Sequence, residues 1–578
     1  MNQPSEASAP MSQTVSDQQP LLSSAPWWMF AGSLLAFPCI SHILVNACFA
    51  AGIRVPATLA PVAILLALGT GEFLGRQSRL SLRARLQVLA ATIVVCAVAI
   101  GLAAWFFDMS WDGLWYHQTA VYQMSHGWNP LYDPMHAFVP HLQDWVRHYA
   151  KGPWYFALAL YTATGNIEAA KAAPWIALAA AFAAANGALL DYGFRRWTAM
   201  LLAFFIAFNP VVVFELASFL VDGLMISYLA CFLASLFVWI RRPTASSYWL
   251  MGVSSILCVN AKFTGLVYMC FALVGIGLYL VLARRDILRR FATFQVAVVL
   301  VGVLVFGFNP YVTNTVNRHY PFYPILGTAE FPSLAQQGED PIERWETPDN
   351  MVGTSRFVRL GYALFGRPGA QPYYPGRNAI LMFPFDVSWT DFSIYYFHDV
   401  RISGFGPLFS GAFLAGLGLI ALTWKRPGIP LTVIGIAVGT IVASLLVSEH
   451  TWWARYGPQL WWIPIIGLIA GFAHYGGRAV RILTVGLASL LLVNILPISL
   501  VHFQWEISAT ETSHQQMRQL AGRKGLDVDF QYFGEPFGER LKNAGVPFTR
   551  ADTLHCQNPV ELMSVSPGYP CAVRVCGE

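Results

Sequence analysis

Long apolar stretches separated by short arginine-bearing turns dominate the chain. The runs at 86–107 and 263–283 exceed the ~18–20 apolar residues that cross a bilayer core. The pattern predicts thirteen membrane-spanning helices, near 27–50, 55–75, 86–107, 172–192, 197–216, 220–240, 246–261, 263–283, 291–309, 405–424, 429–447, 459–474 and 480–503. A further apolar piece, 152–164, is too short to cross comfortably and is expected as an interfacial or re-entrant helix.

Composition agrees with this pattern. Of 578 residues, 56% are hydrophobic and only 12% charged, where soluble proteins carry about 25% charge. A soluble enzyme, a disordered protein and a disulfide scaffold are excluded. Lys plus Arg number 36 against 31 Asp plus Glu, too small an excess to call for nucleic acid. Their placement says more. Arg76/Arg79/Arg83/Arg85, Arg195/Arg196, Arg241/Arg242, Arg284/Arg285/Arg289/Arg290, Lys425/Arg426 and Arg478/Arg481 all fall on one side of the predicted membrane. The short loops of the other side carry only Arg54, Lys262 and Arg455. The positive-inside rule puts the clusters, and with them the N-terminus, in the cytoplasm.

Segment 1–26, rich in Ser, Gln and Pro, is expected to be a disordered cytoplasmic N-terminus. The transmembrane module covers 27–503. The outer face receives loops 108–171 and 310–404 and the tail 504–578, read as a small α/β domain in which 538–548 forms a helix, a turn and a strand. Loops of this length are usually functional. Three of the nine cysteines, Cys556, Cys571 and Cys576, crowd the tail, which suggests one disulfide and an oxidising compartment. Arginine dominance leans towards a bacterial inner membrane, with a periplasmic outer face.

Where the third span leaves the membrane the sequence reads FFDMSWDGLWYHQTAVYQMSHGWNP. A solvated helix end with an aromatic belt is the plain alternative for Asp108, Asp112 and their neighbours. The spacing of Asp112, Tyr116, Ala120, Gly127 and Pro130, however, resembles the first outer loop of the GT-C superfamily of membrane glycosyltransferases. The nearest branch is that of protein O-mannosyltransferases and lipid A aminoarabinose transferases. Lys151-Gly152-Pro153-Trp154-Tyr155 stands where that family has a Lys-Pro-Pro-Leu-Tyr-like motif. Asn209-Pro210 with Asp222, Asn260-Ala261-Lys262-Phe263-Thr264-Gly265, and Arg455-Tyr456 match later elements in order. Two departures stand out: Asp112 is followed by Gly113 rather than Glu, and two extra spans precede the loop.

The resemblance implies transfer of a sugar from a polyprenyl-phosphate donor to a glycan, lipid or protein acceptor on the outer face, among membrane lipids, with inversion. A carboxylate with an ordinary pKa near ~3.9 is ionised at neutral pH and can take the proton of an acceptor hydroxyl. Asp112 is the first candidate for that base. Asp108, one turn earlier on the same face if the helix continues, is the second, and Asp222 an assisting acid. Lys151, Lys262 and Arg455 are candidates for the donor phosphate, against a plain role as interfacial or snorkelling cations. Tyr116, His117, Tyr155 and Tyr456 are candidates for substrate contact. Metal use varies across the superfamily. Asp112 and Asp222 with His117 and His126 would hold a divalent cation such as Mg²⁺ or Mn²⁺, but no His-x-x-x-His spacing singles out a site.

Two other functions remain open from the sequence. A polysaccharide polymerase or ligase also joins lipid-linked glycans outside, but has no early Asp-x3-Tyr motif. A transporter or flippase would call for an ionisable site at mid-membrane and repeated halves, and no repeat is apparent. Loop segment 309–324 reads as a belt with tight turns rather than a sugar-stacking surface. The apolar stretch 379–397 is either interfacial or an additional span.

Overall fold

A computed structural model describes residues 19–133, 143, 146–333, 336, 342–369, 378–424, 431–523, 525–566 and 572–577. Residues 1–18, the Lys425/Arg426 pair and Cys571 lie outside the described residues. Among those described, eight helices are long and apolar enough to cross a membrane: Ser24–Ala50, Leu59–Gln77, Leu82–Trp105, Glu168–Asp191, Asp222–Arg241, Phe263–Ala283, Arg285–Phe306 and Arg478–Leu520. The other predicted spans are helical too but shorter, as in Arg196–Ala207, Ala245–Ala261, Phe409–Thr423, Leu431–Val447 and Trp462–Ala473.

The sequence explains where these helices start and break. Ser81 caps the third, its hydroxyl accepting from Ala84 N, and Thr244 with Ser247 forms a reciprocal capping box. The expected span 197–216 is interrupted because Asn209 is itself an N-cap, accepting from Val211 N at 3.0 Å, with Pro210 in the first turn. Its amide also donates to Pro458 O at 2.8 Å, so the break is locked to a distant loop.

Burial sorts the helices into a centre and a rim. Glu168–Asp191 and Asp222–Arg241 are almost wholly enclosed, whereas Leu82–Trp105 and Arg285–Phe306 leave most of their apolar surface outward. The central helix Ala173–Asp191 is largely alanine, so neighbours approach its backbone closely.

One expectation needs correction, and two pairs of alternatives are narrowed. The N-terminal disorder does not extend to residue 26, because the first helix begins at Gln19. Ser24 Oγ and Trp28 Nε1 both donate to Asp191, which ties that end down. Of the two readings of helix Gly152–Thr164, its burial in the bundle favours the re-entrant over the interfacial one. Trp154, Tyr155 and Phe156 are buried, and Phe156 meets Phe37 edge-on at 5.0 Å between ring centroids. Stretch 379–397 is not a span: it holds only the short helix Trp389–Ser393 and a single 3-10 turn. Its Phe383 is 83% exposed, as an interfacial segment would be.

Residue 504 marks no structural boundary either. Helix Arg478–Leu520 runs unbroken for 43 residues, about 65 Å at 1.5 Å per residue, twice the thickness of a bilayer core. Beyond it lie strands β1 (Leu526–Asp529), β2 (Phe548–Arg550), β3 (Val560–Leu562) and β4 (Val573–Cys576), in the order β2-β1-β4-β3. Strands β1 and β2 are parallel and joined through helix Gly534–Asn543; the other pairs are antiparallel. Cys556 and Cys576 form the disulfide. The small core of Val528, Phe533, Phe537 and Val573 also takes in Leu114 from the first outer loop, with Trp111 and Trp115 packed beside it.

Candidate active site

The loop after the third span is organised around Asp108. The helix stops at Trp105, so Asp108 and Asp112 do not share a helical face as the spacing suggested. Lys171, buried, donates to Ala103 O at 2.8 Å and Phe106 O at 2.7 Å, satisfying carbonyls the helix end leaves free. The Asp108 carboxylate is fully enclosed. It accepts from Ser110 N and Oγ at 2.8 and 2.6 Å and from Phe219 N at 2.9 Å. It holds two loops together and offers no free oxygen to a substrate.

That brace turns the following residues inward. Residues Gly113–His117 form a single π-helical turn, a feature frequent at functional sites. Gly113 is required here: a Cβ on it would lie 2.0 Å from Asp108 Oδ2. Its position accounts for the departure from the Asp-Glu pair of the resembled family. Gly113→Ala is expected to cost about 1–3 kcal/mol by overpacking, seen as a lower Tm and reduced activity; an unchanged Tm would show that the brace yields freely.

Four chain segments converge on Asp112. Arg455 Nη1 lies 3.0 Å from Asp112 Oδ2 and 3.6 Å from Asp399 Oδ2. Tyr116 OH donates to Asp112 Oδ2 at 3.4 Å. Lys262 sits at the extended residue between helices Ala245–Ala261 and Phe263–Ala283, with Nζ 2.7 Å from Asp222 Oδ1 and 4.8 Å from the Tyr456 ring centroid. Asp222 opens helix Asp222–Arg241, where the helix dipole favours a negative charge. The pairs are not sealed off: the side chains of Asp112, Lys262 and Arg455 retain 20%, 13% and 10% exposure. Among the described residues Arg455 Nε has no hydrogen-bond partner and is itself buried, so the exposed part of the guanidinium is its outer nitrogens.

Electrostatics separate the members. Burial alone would raise the Asp112 pKa, but Arg455, His117 and Lys262 outweigh it and hold the carboxyl below its usual range. The opposite balance applies at Asp399, where burial dominates over Arg455 and Arg401 and the pKa rises. Desolvation drops His117 to about 3, so the ring is neutral at pH 7. Trp154 Nε1 donates to His117 Nδ1 at 2.7 Å, which leaves the proton on Nε2.

The structure thus brings together Asp112, Tyr116, His117, Asp222, Lys262, Arg455 and Tyr456. It leaves out three. Lys151 is buried and spends its ammonium on Val146 O, Arg147 O and Tyr149 O at 2.9, 3.1 and 2.6 Å, which makes it a backbone cap rather than a phosphate ligand. Tyr155 packs in the bundle between His42 and Phe49. Asp108 is the brace described above. Nor does the Mg²⁺ or Mn²⁺ set form: Asp112 and Asp222 are each paired with a cation, and His126 stacks on Tyr122 at the exposed end of its helix. Asp399 was not legible, because it lies inside a long loop with no spacing to mark it. Glu168 and Lys171, at the end of the first outer loop, and Arg540, in the tail helix, carry no marking spacing either.

No family model matches the chain, and no curated protein does either. Among solved structures it is similar to the crystal structure of ArnT from Cupriavidus metallidurans bound to undecaprenyl phosphate. The two share 13% identity at a TM-score of 0.41, over 80% of this chain and 86% of the other.

Proposed function

We propose that this protein is a membrane glycosyltransferase of the GT-C type, moving a sugar from a polyprenyl-phosphate donor to an acceptor hydroxyl with Asp112 as general base. The observation that carries the reading is the convergence of residues 112, 222, 262 and 455 into one partly open cluster. It sets an ionised carboxylate beside two cations.

The cluster lies at the membrane end away from the arginines. Helix Asp222–Arg241, 20 residues or about 30 Å long, has Asp222 at one end and Arg241 at the other. Helix Phe263–Ala283 likewise runs from Lys262 to Arg284. Positive-inside bias therefore favours a periplasmic site.

In the proposed reaction the acceptor oxygen attacks the anomeric carbon as its bond to the lipid phosphate breaks. The hydroxyl proton passes to Asp112, the phosphate leaves with the lipid, and the configuration inverts. Lys262 serves the phosphate as a point charge and Arg455 as a fork. Arg455 also holds down the basicity of Asp112, so a phosphate that engages Arg455 strengthens the base. The acid limb of kcat, which reports the donor complex, is then expected at higher pH than that of kcat/KM, which reports the free protein. Coincident limbs would refute this coupling.

The test is to purify the full chain in mild detergent, supply polyprenyl-phosphate sugars and identify the retained lipid by mass spectrometry. Wild type should retain a sugar-phosphate lipid, and Lys262→Ala and Arg455→Ala should weaken retention. Failure to retain any such lipid would overturn the reading.

A further inference from the structure

A second cluster of ionisable side chains lies apart from Asp112. His502 and Glu506 are spaced i, i+4 on helix Arg478–Leu520, so they share a face. His398 reaches them from the outer loop. All three are buried, and one ligand atom from each lies within 4.8 Å of the others. His398 Nε2 and Glu506 Oε1 are 2.9 Å apart without forming an aligned hydrogen bond. Among the described residues neither ring nitrogen of His502 has an aligned hydrogen bond, though backbone groups of Phe214, Tyr395 and Tyr396 lie beside the ring, and Glu506 Oε2 has none. Ser566 Oγ stands 3.5 Å from His398 Nδ1, which leaves Nε2 directed at the carboxylate.

A simple ion pair does not account for this arrangement. It would pair one imidazole nitrogen with one carboxylate oxygen and leave the second Glu506 oxygen, and the side of the His502 ring that faces it, without a side-chain partner, whereas buried polar atoms almost always find partners. We infer that His398, His502 and Glu506 bind a zinc ion. Two imidazoles and one carboxylate suit Zn²⁺, while Mg²⁺ takes oxygen ligands. Tetrahedral bonds of about 2.0–2.2 Å place ligand atoms about 3.3 Å apart, so small side-chain shifts close the site. Ser566 supplies the outer hydrogen bond that metal-binding histidines commonly have.

The site has a positioning role. His398 precedes Asp399, and Asp399 contacts Arg455 at 3.6 Å. A metal at His398 would pin that loop to the long helix and fix Asp399 behind the cluster around Asp112.

The test uses the full chain in detergent, carrying a purification tag without histidines. Elemental analysis by mass spectrometry should find about one zinc per wild-type chain. His502→Gln and Glu506→Gln should lose at least about tenfold of it at matched free zinc. In case a variant does not fold, chelator-stripped wild type loaded with Co²⁺ should show the intense visible bands of a four-coordinate site. Wild type with no zinc after equilibration and no such bands overturns the inference, leaving a buried His398–Glu506 pair. Zinc that persists undiminished in folded variants overturns it too. Neither readout depends on transfer activity, so this outcome is separate from that of the proposed reaction.

Discussion

Asp112→Asn is expected to lower the single-turnover transfer rate by about 10²–10⁴-fold while leaving lipid retention close to that of wild type. The substitution keeps the shape of the side chain and its contact with Tyr116 OH, but removes the group that takes the proton. Arg455 retains Asp399 as a partner, so the cation stays in place for the phosphate. The two readouts divide the cases. Loss of rate with retained donor fits a base. Loss of both would mean that Asp112 acts mainly by holding Arg455, and a full rate would remove Asp112 from the chemistry. Asp108→Asn gives the contrast: its carboxylate accepts from Ser110 and Phe219, so a misplaced loop and a lower Tm are expected.

Much of the site was legible because it is built from short local patterns. Asp112 and Tyr116 share a turn, Lys262 stands alone between two apolar helices, and Arg455 is the sole Lys or Arg in its loop. Spans were legible because a membrane crossing needs a long apolar run. What escaped was the role of charges in pairs. Lys151 and Lys262 look alike in sequence, each beside an apolar helix. One is consumed by three local carbonyls and the other faces an aspartate 40 residues away. Only the fold distinguishes them. His502-x-x-x-Glu506 was readable as a ligand spacing on a helix, but its third partner lies over a hundred residues earlier in a loop. Helix length was misjudged where polarity changes without a breaker: Arg478–Leu520 continues past the membrane because nothing in 504–520 stops it.

Glu168→Gln should be the most destabilising single change outside the site. Glu168 is buried against Lys171 Nζ at 2.5 Å and Arg540 Nε at 2.5 Å, and it accepts from Asp108 N at 3.1 Å. Arg540 in turn donates to Asp108 O at 2.7 Å. One carboxylate thus joins the outer loop, a central helix and the helix of the C-terminal sheet. Removing its charge leaves two buried cations without their counter-ion, a loss of about 3–5 kcal/mol. Arg540→Met should cost less, because Glu168 keeps Lys171. The double variant should fall short of the summed losses, since both changes break the same contact. Thermal unfolding in detergent reads the stability, and limited proteolysis reads whether residues 526–576 loosen first. An unaltered Tm in Glu168→Gln would show that the triad contributes nothing net. A lowered Tm with early cleavage of the C-terminal sheet would show that the brace around Asp108, and through it the placement of Asp112, depends on a segment far from the reacting groups.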